Sequence, residues 1–194
     1  MKLKDIDLRK SLNQKFTHDH SNDPDTIVIN ELGLCQGISR IDIAVINGSI
    51  HGYEIKSEKD TLDRLNTQIE IYNKVCDAIT LVTCNNHKDK VSSVIPEWWG
   101  LSIAEQKRNR IYIKEIRKPS PNPSVDSYSV AQLLWRDEAI NILKELGLEK
   151  GFVSKSRSEI WHKLSSSIPP EKLKMLIRDR LKTRVNWRSV HLPL

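Results

Sequence analysis

Arg40-Ile41-Asp42-Ile43-Ala44-Val45, a turn at Asn47-Gly48, and Gly52-Tyr53-Glu54-Ile55-Lys56 together read as a β-hairpin. One strand carries an acid and the other an acid-x-lysine triplet. Side chains alternate along a strand, so Lys56 shares a face with Glu54. Register decides whether Asp42 joins them. A two-residue Asn-Gly loop sets Asp42 opposite Tyr53 and Glu54 opposite Ile41, with the acids on opposite faces. A three-residue loop, Asn47-Gly48-Ser49 with Gly48 left-handed, sets Ile41 against Ile55, Ile43 against Tyr53 and Asp42 against Glu54. The apolar residues then share one face, which fixes register when one side is buried. The hairpin that best buries its apolar residues therefore also gathers its carboxylates. Two carboxylates at a strand edge can hold a divalent metal, and metal with lysine can activate water against phosphodiesters. The same residues also fit an ordinary surface hairpin with Asp, Glu and Lys outward.

The residues downstream favour the site. Asp60-Thr61-Leu62-Asp63 predicts a capped helix start, with acids near its positive end. Leu62, Leu65, Ile69 and Tyr72 continue at helical spacing, so one face is buried. Gln68 and Tyr72, four apart, are surface neighbours on that helix. Ala78-Ile79-Thr80-Leu81-Val82-Thr83 reads as a short buried strand.

Acid, acid-x-lysine and Gln-x-x-x-Tyr in this order resemble the PD-(D/E)xK superfamily of restriction-endonuclease-like nucleases, and in particular its RecB-type members. Arg-Ile-Asp-Ile-Ala, followed by Gly-Tyr-Glu-Ile-Lys-Ser-Glu-x-Asp-Thr-Leu-x-Arg-Leu, is similar to a group of small bacterial and phage proteins, one branch of which is linked to DNA repair. Ile41 stands where the motif nominally has proline. The resemblance covers about the first hundred residues. It implies an α/β fold, a mixed sheet flanked by helices, and a Mg²⁺- or Mn²⁺-dependent deoxyribonuclease. By that resemblance Asp42 and Glu54 bind metal, with the Ile55 carbonyl as a further ligand and an early glutamate, Glu31, completing the shell. Lys56 orients or deprotonates the attacking water. Gln68 lies by the metal, and Tyr72 supports substrate or helix. Read without the resemblance, Gln68 is a solvated helix residue, Tyr72 is core, and Glu31 is a loop acid pairing with Arg40. Arg40 contacts phosphate or balances the acids. Trp98-Trp99 stacks on bases or closes the core, and the core is the favoured place.

The chain has 194 residues and a formal net charge of +6. Residues 1–118 hold 18 Lys and Arg against 17 Asp and Glu, and residues 119–194 hold 13 against 8, so the surplus sits in the second part. Pro119-Ser120-Pro121-Asn122-Pro123-Ser124 marks a boundary, because closely spaced prolines continue neither helix nor central strand. The expected division is a nuclease-like domain over 1–118, a Pro-rich linker over 119–127 and a basic helical region over 128–194. Val130, Leu133, Leu134, Ile140, Leu143 and Leu146 suggest one amphipathic helix ended by Gly147. Ser158 to Leu164 suggests a second, and Pro169-Pro170-Glu171 opens a third. These helices form either a helix-turn-helix-like unit or a subdomain packed on the core, the latter favoured. Lys155 and Arg157 at a helix start, with Arg178 and Arg180 on the third helix, are the candidate phosphate contacts.

Three cysteines, Cys35, Cys76 and Cys84, lack Cys-x-x-Cys spacing and fall short of an iron–sulfur set, which points to a reducing compartment. The start Met1-Lys2-Leu3-Lys4-Asp5 lacks a signal-peptide core, and no stretch is apolar enough for a membrane. A cytoplasmic protein is expected. With no Walker loop, no nucleotide cofactor is expected. DNA is the expected partner, with RNA an open alternative and a second copy of the chain a further candidate. The reading from another class is a non-cleaving DNA-binding or protein-interaction module on the same fold.

Overall fold

The computed structural model describes residues 3–108 and 110–184; Met1, Lys2 and the last ten residues of the expected 128–194 region lie outside the described residues. Six strands form one sheet in chain order: β1 Ile27–Leu34, β2 Ser39–Ile46, β3 Ile50–Lys56, β4 Ala78–Cys84, β5 Gly100–Lys107 and β6 Arg110–Arg117. β1–β2 and β2–β3 pair antiparallel, β3–β4 and β4–β5 pair in parallel, and β5–β6 is antiparallel. The parallel step from β3 to β4 requires a crossover, and helix α2, Leu65–Val75, supplies it. The mixed sheet flanked by helices is the architecture the sequence suggested.

Helix α1, Asp5–Asp19, covers one face. Its Leu8, Leu12 and Phe16, four apart, pack with Ile43, Val45, Ile55, Val82 and Ala104. The opposite face packs on α2, the short α3, Lys88–Ser92, and the C-terminal helices α4 Ser127–Ala131, α5 Arg136–Glu145, α6 Arg157–Ser167 and α7 Pro170–Thr183. One hydrophobic cluster runs from Leu81, Tyr72 and Trp99 to Val130, Leu143, Trp161 and Ile177. Trp99 is fully buried and its indole donates to Asn73 Oδ1 at 2.9 Å, which places it in the core.

Residues 119–127 act as a strap rather than a spacer between two bodies. Asn122 Nδ2 donates to the carbonyls of Asn73 and Cys76, both at 2.7 Å, and Ser120 N to the Trp98 carbonyl at 2.9 Å. The single helix expected over 130–146 is two. Asp126 caps α4 through the Ser129 amide, the chain turns at 132–135, and α5 ends where Gly147 takes φ 66°. Apolar spacing alone does not reveal that break, because both pieces bury residues in the same core. α2 begins at Leu65, later than the expected Asp60, because Asp60 Oδ2 accepts the Ser57 amide at 2.7 Å and closes a turn instead.

The hairpin has the expected register at four rungs, from Ile46↔Ile50 to Ile43↔Tyr53, around Asn47-Gly48-Ser49. Gly48 is not left-handed; Asn47 Oδ1 accepts the Ser49 amide at 3.2 Å and closes the loop without it. Past Ile43 the two strands part. Here the expected facings of Ile41 on Ile55 and of Asp42 on Glu54 both fail as strand rungs, and the cause lies in both β1 and β2. The rungs Asn30↔Ile43 and Leu32↔Ile41 leave Glu31 and Asp42 between them, and Glu31 takes φ 58°. Ile29 and Leu32, and likewise Ile41 and Ala44, are three apart yet lie in one cluster. Regular strands would send them to opposite faces. Ile41 therefore crosses to the α2 side and lies over Gly52, where an added Cβ would meet its Cδ1 at 2.6 Å.

Candidate active site

The parting of β2 and β3 builds the site. Asp42 fills the gap, and its Oδ2 accepts the Ile55 amide at 2.7 Å. Glu54 and Lys56 point to the α2 side of β3, where Glu54 Oε1 accepts from Lys56 Nζ at 2.7 Å and from Gln68 Nε2 at 2.6 Å. Tyr72 Oη lies 2.7 Å from Glu54 Oε2 and 2.8 Å from the Arg40 carbonyl oxygen, and it accepts from Gln68 Nε2 at 3.1 Å. Glu54, Lys56 and Gln68 are 2%, 5% and 8% exposed, so this network is desolvated and its geometry fixed. Asp42, Glu54, Ile55, Lys56 and Gln68 all line one cavity of about 580 Å³, with Arg40, Arg64 and Thr67 around it.

The four residues that the sequence offered as catalytic candidates, Asp42, Glu54, Lys56 and Gln68, are thus brought together on one cavity. Tyr72 is not at the surface. It is fully buried, with its ring 6.2 Å from Trp99, because its spacing on α2 turns it inward; it holds Glu54 and is closed to nucleic acid. Glu31 lines the same cavity, and its carboxylate is engaged by two arginines: Oε1 pairs with Arg9 Nη1 at 2.7 Å and Oε2 with Arg40 Nη1 at 3.3 Å. Its left-handed backbone, a conformation costing on the order of 1–3 kcal/mol, orients that carboxylate.

Arg9 and Asp5 are the site residues that sequence reasoning missed. Arg9 Nη2 reaches Asp42 Oδ1 at 2.7 Å and Asp5 Oδ1 at 3.1 Å, while Nη1 reaches the Asp42 carbonyl at 2.9 Å. The Asp5–Arg9 spacing of four on a helix, beside the Leu8-Leu12-Phe16 stripe, was the available signal.

The basic residues expected to hold phosphate lie elsewhere and are engaged. Lys155 pairs with Glu159 at 3.1 Å, and Arg157 lies over the Trp161 ring at 5.7 Å. Arg178 is 4.0 Å from Asp77, and Arg180 pairs with Glu145. Lys174 also bonds Asp77, which in turn accepts the Ile50 amide, so α7 is tied to the sheet through charge.

Burial and the nearby Glu54 push the Asp42 carboxyl up to about 7, against the pull of the Ile55 amide and Arg9. Its folded pKa exceeds its unfolded value. Between about pH 4 and 7 the folded chain holds a proton that the unfolded chain has lost, so Asp42's contribution to stability falls as pH rises. Burial holds the His51 imidazole down to about 4, a contribution of opposite sign that is complete above pH 6.5. A cation bound at Asp42 must displace the proton. We therefore expect millimolar Mg²⁺ to raise the melting temperature more at pH 8 than at pH 5.5, and Asp42→Ala to abolish the difference; differential scanning fluorimetry reads both.

Among the described residues no three His, Cys, Asp or Glu side chains form a ready-made metal-binding group. Two features nonetheless fit a cation between Asp42 and Glu54. Their like charges are crowded, and Gln68 Oε1 is a buried acceptor with no donor. A buried acceptor left without a donor costs about 1–3 kcal/mol, and a water on a cation held there would supply a donor.

No helix among the described residues is long and apolar enough to cross a membrane. The structure of the SPO1766 protein of unknown function from Silicibacter pomeroyi resembles this one at 18% identity and a TM-score of 0.42, over 72% of this chain and 89% of that one. Protein cII of Enterobacteria phage P4 is 24% identical over 165 residues, or 85% of this chain and 62% of the phage protein. The chain thus spans less than two thirds of that curated relative's length. The family model described as bacteriophage P4 protein cII matches residues 8–192. Together with the 194-residue length, that match takes in the sheet, the cavity and the C-terminal helices, and the chain belongs to the bacteriophage P4 protein cII family.

Proposed function

We propose that the protein is a cytoplasmic, metal-dependent DNA nuclease of the PD-(D/E)xK type, hydrolysing phosphodiester bonds at the Asp42–Glu54–Lys56 cavity. The observation that carries this is the convergence of two carboxylates, a buried lysine and an unsatisfied buried amide oxygen on one cavity. Asp42 and Glu54, with the Ile55 carbonyl, would hold Mg²⁺ or Mn²⁺. When bound, the metal polarises the phosphoryl oxygen and lowers the pKa of a water. Gln68 Oε1 accepts from and orients a water, and its Nε2 keeps Glu54 turned inward. Tyr72 fixes Glu54 from behind. Lys56 Nζ, desolvated and beside Glu54, supplies a fixed positive charge to the phosphoryl group as its negative charge redistributes.

Phosphate affinity is assigned first to the cavity rim. Arg40 is 58% exposed in its side chain, and Arg64 lines the cavity at the start of α2. The C-terminal cations are engaged in ion pairs or ring contacts and add a secondary, salt-screened attraction. Arg40→Ala with Arg64→Ala is expected to weaken DNA binding about tenfold and reduce the salt slope. Neutralising Lys155, Arg157, Arg178 and Arg180 together is expected to change affinity less. Fluorescence anisotropy across a salt series reads both; a larger loss from the C-terminal set would reassign the DNA-binding face.

A second reading, a non-cleaving DNA-binding or protein-interaction module, is favoured by the ion pairs that already balance both carboxylates, Arg9 on Asp42 and Lys56 on Glu54. Incubation of the purified protein with plasmid DNA discriminates. Cleavage that needs Mg²⁺ or Mn²⁺ and stops with a chelator supports the nuclease; binding without cleavage under every metal condition supports the module.

A further inference from the structure

We propose that the Arg9 guanidinium occupies the place a second divalent cation would otherwise take, so that this site binds one metal ion per chain. The proposal rests on the metal site inferred between Asp42 and Glu54.

Arg9 is enclosed by oxygen atoms on the side of Asp42 away from the Ile55 amide. Nη2 meets Asp42 Oδ1 at 2.7 Å and Asp5 Oδ1 at 3.1 Å; Nη1 meets Glu31 Oε1 at 2.7 Å and the Asp42 carbonyl at 2.9 Å. Three carboxylates and a backbone carbonyl are the kinds of donor a hard divalent cation takes, although spread around the guanidinium they form no ready-made metal group. Here one guanidinium takes all of them. The choice is built into the fold. Glu31 is held at φ 58°, and its carboxylate is turned to Arg9. Asp5 arrives one helical turn before Arg9 on α1, itself anchored by Leu8, Leu12 and Phe16. The side chain of Arg9 is only 17% exposed. An arginine cannot give up its proton in a protein, so this charge is permanent. A second cation would have to expel a half-buried, four-fold bonded guanidinium from its partners.

The consequence is a division of labour on Asp42. Oδ1 and the carbonyl are committed to Arg9, and Oδ2 holds the Ile55 amide with a lone pair left for the metal shared with Glu54. Arg9 is thus a positioning residue for Asp42, and it supplies the positive charge that a second metal would bring.

The test is a count of Mn²⁺ ions bound per chain at neutral pH, by electron paramagnetic resonance of free Mn²⁺ and by calorimetry, on the full-length protein. The wild type is expected to bind one. Arg9→Gln, which keeps a polar side chain but removes the charge, is expected to bind two, and the second ion is expected to be lost again on adding Asp5→Asn. Circular dichroism shows whether each variant folds. Two ions in the wild type overturn the proposal, a result that depends on no variant. One ion in a folded Arg9→Gln overturns it as well. A wild type that binds none contradicts the metal site itself and the proposal with it. One ion in both proteins, lost in Asp42→Ala, overturns the Arg9 role alone.

Discussion

Asp42→Ala and Glu54→Ala are each expected to lower metal-dependent cleavage by on the order of 10³-fold or more, the scale on which loss of a transition-state charge contact is felt. Their stabilities should differ, and the difference follows from partners. Without Asp42, Arg9 keeps Asp5 and Glu31 and the crowding on Glu54 is relieved, while the Ile55 amide loses its acceptor at a cost of about 1–3 kcal/mol, so Asp42→Ala should melt modestly below the wild type in the absence of metal. Without Glu54, Lys56 is left unpaired at 5% exposure and Gln68 Nε2 and Tyr72 Oη lose their acceptor. Breaking a buried pair by removing one partner costs about 3–5 kcal/mol. Glu54→Ala should therefore melt clearly lower while still folding at low temperature. Single-turnover cleavage and thermal melts measure both effects; full activity in the two variants would remove the nuclease from this cavity.

Trp161→Ala is expected to destabilise the whole chain by about 3–5 kcal/mol, the usual range for truncating a buried tryptophan. The ring sits on α6 at 2% exposure, and its indole nitrogen donates to the Leu134 carbonyl at 3.2 Å. It belongs to the same cluster as Tyr72 and Leu81, so the loss should be felt by the sheet. Urea unfolding followed by both fluorescence and circular dichroism should show one transition, shifted to lower denaturant. Two separate transitions, with the sheet unmoved, would restore the linker at 119–127 and make the C-terminal helices an independent body.

How much of this was legible in the sequence depends on the range of the interactions. The hairpin register was readable because it is set locally, by a loop length and by burial of alternate residues. Gln68 and Tyr72 were readable because helical spacing fixes their side of α2. The core reading of Tyr72 holds, against Trp99, but its bond to Glu54 was not readable, because that contact is made 18 residues along the chain. Ile41 was misassigned because the phase change at Glu31 and Asp42 needs two strands at once, and neither betrays it alone. Arg9 was missed for a similar reason, since its partner Asp42 lies 33 residues away. The basic C-terminal helices looked like a surface for phosphate because sequence charge does not reveal pairing. Asp77, Glu145 and Glu138 take up Lys174, Arg180 and Arg184 only once α5 and α7 are packed.

The central claim is tested most directly by single-turnover cleavage of labelled duplex, single-stranded, flap and junction DNA, with RNA alongside, by wild type and Lys56→Ala in Mg²⁺ and Mn²⁺. Lys56 touches Glu54 and lines the cavity, so its removal deletes the charge offered to the phosphoryl group while leaving Asp42 and Gln68 in place. The account predicts metal-dependent cleavage of at least one DNA substrate by the wild type, stopped by chelator and reduced at least 10²-fold in Lys56→Ala with DNA binding retained. Cleavage at the wild-type rate by Lys56→Ala, or no cleavage of any substrate by a wild type that binds DNA, would contradict it.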